Sequence, residues 1–148
     1  MSELRELYQQ VILDHNRKPR NFRKLTRPTR VAAGENPLCG DRLSVEIDLE
    51  DGVVRDIAFQ GSGCAISRAS ASLMTADLRG KTAAEAESIF ERFHQMLTAA
   101  EPSDTDALGK LAVFAGVREF PSRVKCATLA WHTARAALAG QAEPVSTE

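Results

Sequence analysis

The chain has 148 residues, 43% of them apolar, which is enough to bury a core within one globular domain. Its 19 basic and 20 acidic residues leave a formal charge of −1, so the net charge gives no reason to expect binding to nucleic acid. The first residues carry charges where a signal peptide needs an apolar core, and no run approaches the roughly 18 apolar residues of a membrane span. We therefore expect a cytoplasmic protein without membrane contact, with a single domain over residues 1–140 and a flexible polar tail over 141–148.

The N-terminal segment predicts a helix over residues 3–16, which Pro19 ends. Its apolar residues fall on one helical stripe: Leu4, Leu7, Tyr8, Val11 and Ile12. The stretch 17–30 that follows contains seven Lys or Arg residues. It is either a solvated connection that covers the sheet or a docking surface for an acidic partner, and both interpretations stay open.

The next segment predicts a β-hairpin. Apolar residues alternate with polar ones at Leu43, Val45, Ile47 and Leu49, and the turn at 50–52 contains Gly52. The second strand returns with Val53, Ile57 and Phe59, and Arg55 breaks the alternation. A third, edge strand is expected at 29–33.

The rest of the chain has helical patterns. One helix runs from Cys64 to about Leu78 with Gly80 after its end, and Thr82 and Glu85 then fit a capping box that starts the next. A loop is expected at 98–106, followed by a short helix that ends near Gly116 and by a last helix that starts at Pro121. The predicted fold class is α+β, with a small antiparallel sheet of two to three strands packed against about five helices.

Cys39, Asp41 and Cys64 are candidate metal ligands. In an extended chain, positions 39 and 41 project a thiol and a carboxylate to the same side, and Gly40 between them allows a metal ion or a partner to come close. Cys64 falls at a helix N-terminus, where the helix dipole favours a thiolate. The hairpin therefore brings together three of the four ligands of a tetrahedral site.

Cys126 has two possible roles. It lies on the apolar stripe of the last helix, which is typical of a buried structural cysteine, but the site also needs a fourth ligand. His132 is expected to face away from Cys126, and surface or helix-end roles are expected for His15 and His94. Three thiolates and a carboxylate favour zinc or iron–sulfur chemistry.

The charge and mobility of such a site suggest further roles. With a dication bound the four ligands leave a charge of about −2, which a nearby cation such as Arg123 or Lys125 would offset, and that cation could bind an anionic sulfur species. Cys39, in a loop at the mouth of a strand, is the thiol that can most easily leave the metal.

Four stretches resemble the U-type iron–sulfur cluster assembly family, in its SufU branch. They are LYQQVILDHNRKPRNF, ENPLCGDRLSVEIDLEDG, IAFQGSGCAISRASASLMT and RVKCATLAW, and the resemblance spans roughly residues 4–138. In the IscU branch a histidine immediately precedes the third cysteine, whereas this chain has Lys125 there. The segment between the second and third cysteines is also the longer form. Both departures favour sulfur relay over the cluster-scaffold role.

The resemblance implies a zinc-bound acceptor of persulfide sulfur from a pyridoxal-phosphate-dependent cysteine desulfurase. By this likeness Cys39, Asp41, Cys64 and Cys126 hold the zinc. Cys39 leaves the metal when a desulfurase histidine replaces it, accepts the sulfur and carries it to a downstream cluster assembly complex, with Arg123 assisting. The alternatives are a scaffold that assembles a [2Fe–2S] cluster on the same ligands and a structural zinc module that serves only as an adaptor.

Overall fold

A computed structural model of the protein describes residues 2–99, 106–140 and 144–146. In chain order the elements are α1 (Ser2–Arg17), β1 (Arg30–Asn36), β2 (Asp41–Glu50), β3 (Val53–Ser62), α2 (Ala65–Leu78), α3 (Ala83–Thr98), a 3₁₀ segment (Asp106–Glu119), α4 (Pro121–Leu138) and β4 (Val145–Ser146). The α+β class and the five helical elements are confirmed. Among the described residues, none of the helices combines the length and the apolar character needed to cross a membrane.

Within the described ranges the sheet has four strands in the order β3-β2-β1-β4, one more than expected. β1, β2 and β3 are antiparallel, whereas β4 runs parallel to β1 through Gly34 and Val145. The prediction missed β4 because two residues carry no alternating pattern. β4 belongs to the stretch that was expected to be a flexible tail, and apart from Pro144 the remainder of that stretch, 141–143 and 147–148, lies outside the described residues.

The hairpin between β2 and β3 is confirmed, and its register is irregular near the turn. Asp51 and Gly52 both have positive φ angles, of 53° and 75°, as the two-residue turn of a twisted hairpin requires. A shift in the β2–β3 register between Asp48 and Leu49 changes which side chains point inward. Val54 is therefore fully buried in the core and Val53 is half-buried, which agrees with the broken alternation expected at Arg55.

The helices cover one face of the sheet. α4 contacts β1, β2 and α2, and its Trp131 stacks on Phe93 of α3 at a ring distance of 4.6 Å. The Trp131 indole N–H donates to Ser70 Oγ of α2 at 3.1 Å, which satisfies a polar group inside the core. α4 begins at Pro121 as predicted, and α3 begins with the predicted capping box of Thr82 and Glu85.

The helical segments agree with the predictions only in part. The stretch predicted as a short helix ending at Gly116 consists of 3₁₀ turns that are interrupted at Gly109, where φ is 57°, and it continues to Glu119. Most of the expected loop at 98–106 lies outside the described residues, as do the side chains of Leu4 and Leu7 in α1. The remainder of the α1 stripe, Tyr8, Val11 and Ile12, packs against the core.

The basic stretch 17–30 is fastened to the fold. The Arg20 backbone N–H donates to Ser72 Oγ of α2 at 2.8 Å, and the Asn21 side chain donates to Thr75 Oγ1 at 3.1 Å. Arg23 forms an ion pair of 2.7 Å with Asp56 of β3. The stretch thus covers α2 and β3, as the first interpretation expected, while docking of an acidic partner stays a prediction.

Candidate metal centre

Three of the four predicted ligands form a compact group. The ligand atoms of Cys39, Asp41 and Cys126 all lie within 4.8 Å of one another. The Sγ atoms of Cys39 and Cys126 are 3.2 Å apart. Two sulfur donors and one carboxylate oxygen therefore meet at one point, although Cys126 is 87 residues from Cys39 in the sequence.

Cys39 lies in an exposed turn between β1 and β2. Its backbone N–H donates to the carbonyl oxygen of Asn36 at 3.2 Å, which closes the turn. Gly40 has a φ of 72°, a conformation that glycine adopts without the steric cost of a β-carbon. Cys39 and its neighbour Leu38 are both exposed. The thiol is therefore accessible from solvent and carried by a short turn.

Asp41 is the first residue of β2 and is fully buried. Its Oδ1 accepts a hydrogen bond from the backbone N–H of Cys64 at 2.9 Å, so the carboxylate holds the start of α2 against the sheet. Gly63 permits this contact, because a β-carbon at position 63 would overlap Oδ1. The carboxylate is thus buried and held in position by the start of α2.

Cys64 lies at the N-cap of α2, as the sequence predicted. Its Sγ accepts from the backbone N–H of Ser67 at 3.5 Å and lies 4.0 Å from Asp41 Oδ2. Cys64 is exposed and is not one of the three residues of the compact group. It is connected to that group by its contact with Asp41. Its role as fourth metal ligand stays a prediction.

Cys126 is buried in the second turn of α4, with 2% of its surface exposed. Burial raises the pKa of its thiol, and the neighbouring Cys39, Asp41 and Cys64 raise that pKa further. A bound dication reverses this balance because its charge favours the thiolate. Two sulfurs, a buried carboxylate and a third thiol nearby form a donor set that fits a thiophilic ion such as zinc, or an iron–sulfur cluster.

The two cations suggested beside the site are on α4. Arg123 is exposed, and its guanidinium lies over the Phe120 ring at 4.8 Å from the centroid. It lines a cavity of about 400 Å³ between α1, α2 and the 3₁₀ segment, together with Tyr8 and Ile66. Lys125 is half-buried. The assisting role of Arg123 stays a prediction.

The histidines have other contacts. His132 lies against Phe90 and His94 of α3, with ring centroids 5.2 and 5.8 Å away, which agrees with its predicted orientation away from Cys126. His15 is in the last turn of α1, which agrees with the expected surface or helix-end role; it is buried and hydrogen-bonded through Nδ1 to Ser72 Oγ at 2.7 Å. The sequence pattern did not predict this contact between His15 and α2.

Two residues of the site were not identified from the sequence. Asn36 ends β1, which extends beyond the expected 29–33, and its amide Nδ2 lies 3.6 Å from Cys126 Sγ. Gly63 is the second of these residues, because its missing β-carbon leaves room for the Asp41 carboxylate. The signal for Asn36 was its place three residues before Cys39 in a turn, where a side chain can reach back toward the strand end.

Comparison with known proteins shows similarity along almost the whole chain. Residues 7–139 match the family described as the NifU-like N terminal domain. The chain is 42% identical over 130 residues to the zinc-dependent sulfurtransferase SufU of Bacillus subtilis (strain 168), covering 88% of each protein. It is 38% identical over 138 residues to the iron–sulfur cluster assembly scaffold protein IscU of Streptococcus pyogenes serotype M1, covering 93% of this chain and 86% of that protein.

A solved structure shows the same fold. It is a crystal structure from Fervidobacterium islandicum AW-1, described as a candidate iron–sulfur cluster assembly scaffold protein for the SUF system. The two chains are 32% identical, with a TM-score of 0.82 over 87% of this chain and 94% of that one.

Proposed function

Because the chain belongs to the NifU-like N-terminal domain family of iron–sulfur cluster assembly proteins, we propose that it is a zinc-dependent sulfur relay. In this role it accepts persulfide sulfur from a pyridoxal-phosphate-dependent cysteine desulfurase and passes it to a downstream cluster assembly complex. The proposed setting is a cytoplasm, where free thiols stay reduced.

One observation carries the proposal: an exposed thiol on a short turn sits 3.2 Å from a buried thiol on a helix. A group that collects sulfur from another protein must be accessible and able to move, and an exposed cysteine on a short turn next to a glycine suits this task. Cys126 and Asp41 are buried and held by α4 and β2. The site therefore combines one accessible sulfur atom, that of Cys39, with two buried metal-ligand candidates, Asp41 and Cys126.

The transfer step follows from thiol chemistry. The Cys39 thiolate attacks the terminal sulfur of the donor persulfide, a new S–S bond forms on Cys39, and the donor cysteine leaves as a thiolate. No outside oxidant is needed, because the transferred sulfur keeps its oxidation state. We assign Arg123 to assist by attracting the anionic persulfide, since its charge offsets that of the thiolates.

We assign Cys39, Asp41, Cys64 and Cys126 as the residues that hold zinc. When bound, zinc supplies a positive charge that keeps the thiols ionised and shielded from oxidation. The donor set supports this assignment, because a site with one carboxylate among thiolates is less closed than the all-Cys or Cys and His sites of purely structural zinc. Such a site suits a ligand that must be released.

The test is desulfurase turnover in the presence of this protein. We expect the rate of alanine production to rise when the zinc-loaded protein is added, and Cys39→Ala to abolish the rise. Ser122→Ala, an exposed substitution at the start of α4, is the matched control and should behave as wild type. If the Cys39→Ala protein stimulates the desulfurase as well as wild type does, the relay is ruled out.

A second candidate is a scaffold that assembles a [2Fe–2S] cluster on the same residues. It is favoured by the relatives that carry the name IscU scaffold protein, which are 38% and 37% identical to this chain. Lys125 argues against it, since the sequence resemblance places a histidine there in that branch. Anaerobic reconstitution with ferrous iron and sulfide separates the two, because only a scaffold should keep a visible chromophore in competition with zinc.

A further inference from the structure

Asn36 contacts all three residues of the compact group. Its backbone oxygen accepts from the Cys39 N–H and so closes the turn that carries the exposed thiol. It pairs across the β1–β2 ladder with Asp41. Its side-chain Nδ2 donates to Cys126 Sγ at 3.6 Å. One residue therefore links the exposed thiol, the buried carboxylate and the buried thiol.

The burial of the Asn36 side chain lowers the stability of the fold. The residue is fully buried, and its Oδ1 is one of four buried side-chain polar atoms without a hydrogen-bond partner among the described residues. An unpartnered buried polar atom is destabilising, and an apolar side chain of similar size would avoid that cost. Within the part of the chain that the structure describes, the side-chain hydrogen bond of Asn36 goes to a sulfur atom of the site.

The two neighbouring sulfur atoms are held very differently. Cys126 is on a helix, is buried and receives the Asn36 N–H, whereas Cys39 is exposed on a turn with glycine next to it. An N–H donor directed at a metal-bound sulfur fixes the ligand and stabilises its charge. The two thiol groups are chemically identical, but only Cys126 receives this hydrogen bond. Cys126 is therefore the sulfur that is retained, and Cys39 is the sulfur that can be released.

We propose that Asn36 is a positioning residue that keeps Cys126 as the permanent ligand and leaves Cys39 as the sulfur that is released. The inference rests on the proposed zinc site and deepens it. Asn36 does not react with sulfur itself. It acts on Cys126 through its side chain and on Cys39 through its backbone, so that side-chain substitutions alter the first effect and preserve the second.

The experiment uses the zinc-loaded protein, a limiting alkylating reagent and mass mapping of the modified cysteines over time. In wild type we expect Cys39 to be modified first and Cys126 last. In Asn36→Asp, which keeps the shape but removes the N–H donor, and in Asn36→Ala, we expect Cys126 alkylation to rise about tenfold and zinc affinity to fall by about tenfold or more. Thr133→Val, a fully buried polar substitution on α4 that leaves the thiols untouched, should keep the wild-type order.

The outcomes separate this inference from the proposed function. If both Asn36 variants keep the order of alkylation and the zinc affinity of wild type, Asn36 has no positioning role, while the relay stands. If wild-type protein binds no zinc in competition with a chelator, both proposals fail together. A purely structural role for Asn36 would lower the melting temperature without changing the order of alkylation.

A measurement on wild-type protein covers the case in which neither variant folds. Zinc is replaced by ¹¹³Cd, and the ¹⁵N-labelled protein is examined by NMR. A hydrogen bond to a metal-bound sulfur transmits scalar coupling, so the Asn36 side-chain amide protons should couple to the cadmium nucleus. A resolved Asn36 amide signal without that coupling would overturn the inference.

Discussion

Gly63 lies so close to the carboxylate of Asp41 that a β-carbon at position 63 would be 2.7 Å from Oδ1. The backbone of Gly63 needs no left-handed conformation, so the requirement for glycine here is one of space. The close approach lets the next residue, Cys64, donate its N–H to the same oxygen. The two ends of the β2–β3 hairpin are thereby joined at the candidate metal centre.

Gly63→Ala should therefore weaken metal binding. The methyl group must displace Asp41 from its place among the donors, and loss of such a supporting contact typically costs about tenfold or more in affinity. Competition with a zinc chelator measures the change. Gly116→Ala is the matched control, because a β-carbon there meets no heavy atom within 4 Å. Equal zinc affinities for the two variants would contradict the steric argument.

Truncation of the two neighbouring thiols should affect the metal-free fold unequally. Cys39 is exposed, so Cys39→Ala should change the free energy of unfolding by less than about 0.5 kcal/mol. Cys126 is buried in the core side of α4, so Cys126→Ala leaves a small cavity and should cost about 1–2 kcal/mol. Urea unfolding with reductant and chelator present gives both numbers. A cost for Cys39→Ala as large as that for Cys126→Ala would show that the turn is part of the core.

Acid should destabilise the fold through His132. Burial lowers the pKa of this imidazole below its usual value of 6.5, and His94 and Arg135 lower it further. The unfolded chain then binds the proton more tightly, so the free energy of unfolding decreases as the pH falls from about 6.5 toward the lower folded-state pKa. His132→Gln should reduce this loss, measured by urea unfolding at a series of pH values. The pKa of the buried His15 is also lowered, so part of the loss should remain in the variant. An unchanged pH dependence would contradict the assignment to His132.

The features that the sequence predicted well depend on residues close together in the chain. The capping box of Thr82 and Glu85, the β2–β3 turn and the position of Cys64 at the start of α2 are all set by spacings of a few residues. Such local geometry follows from periodicity and from the conformations that glycine and capping side chains allow.

The features that the sequence missed depend on distant parts of the chain. β4 is defined only by its pairing with β1, and the burial of His15 only by its contact with Ser72 of α2. The contact between Asn36 and Cys126 joins residues that are 90 positions apart. The convergence of Cys126 on Cys39 was expected from the ligand count and the family resemblance, but spacing alone could not distinguish it from a buried structural cysteine.

Cobalt substitution should decide whether Cys64 completes the metal shell. The Cys64 sulfur caps α2 by accepting from Ser67 and lies 4.0 Å from Asp41 Oδ2, next to the compact group. If Cys64 binds the metal, three thiolates contribute to the sulfur-to-cobalt absorption, and Cys64→Ser should remove about one third of it. Serine is itself a favoured N-cap residue, so this variant keeps the start of α2 and isolates the effect on the metal. An unchanged absorption in Cys64→Ser, with the expected loss in Cys126→Ser, would limit the protein ligands to Cys39, Asp41 and Cys126 and leave the fourth position to solvent or a partner.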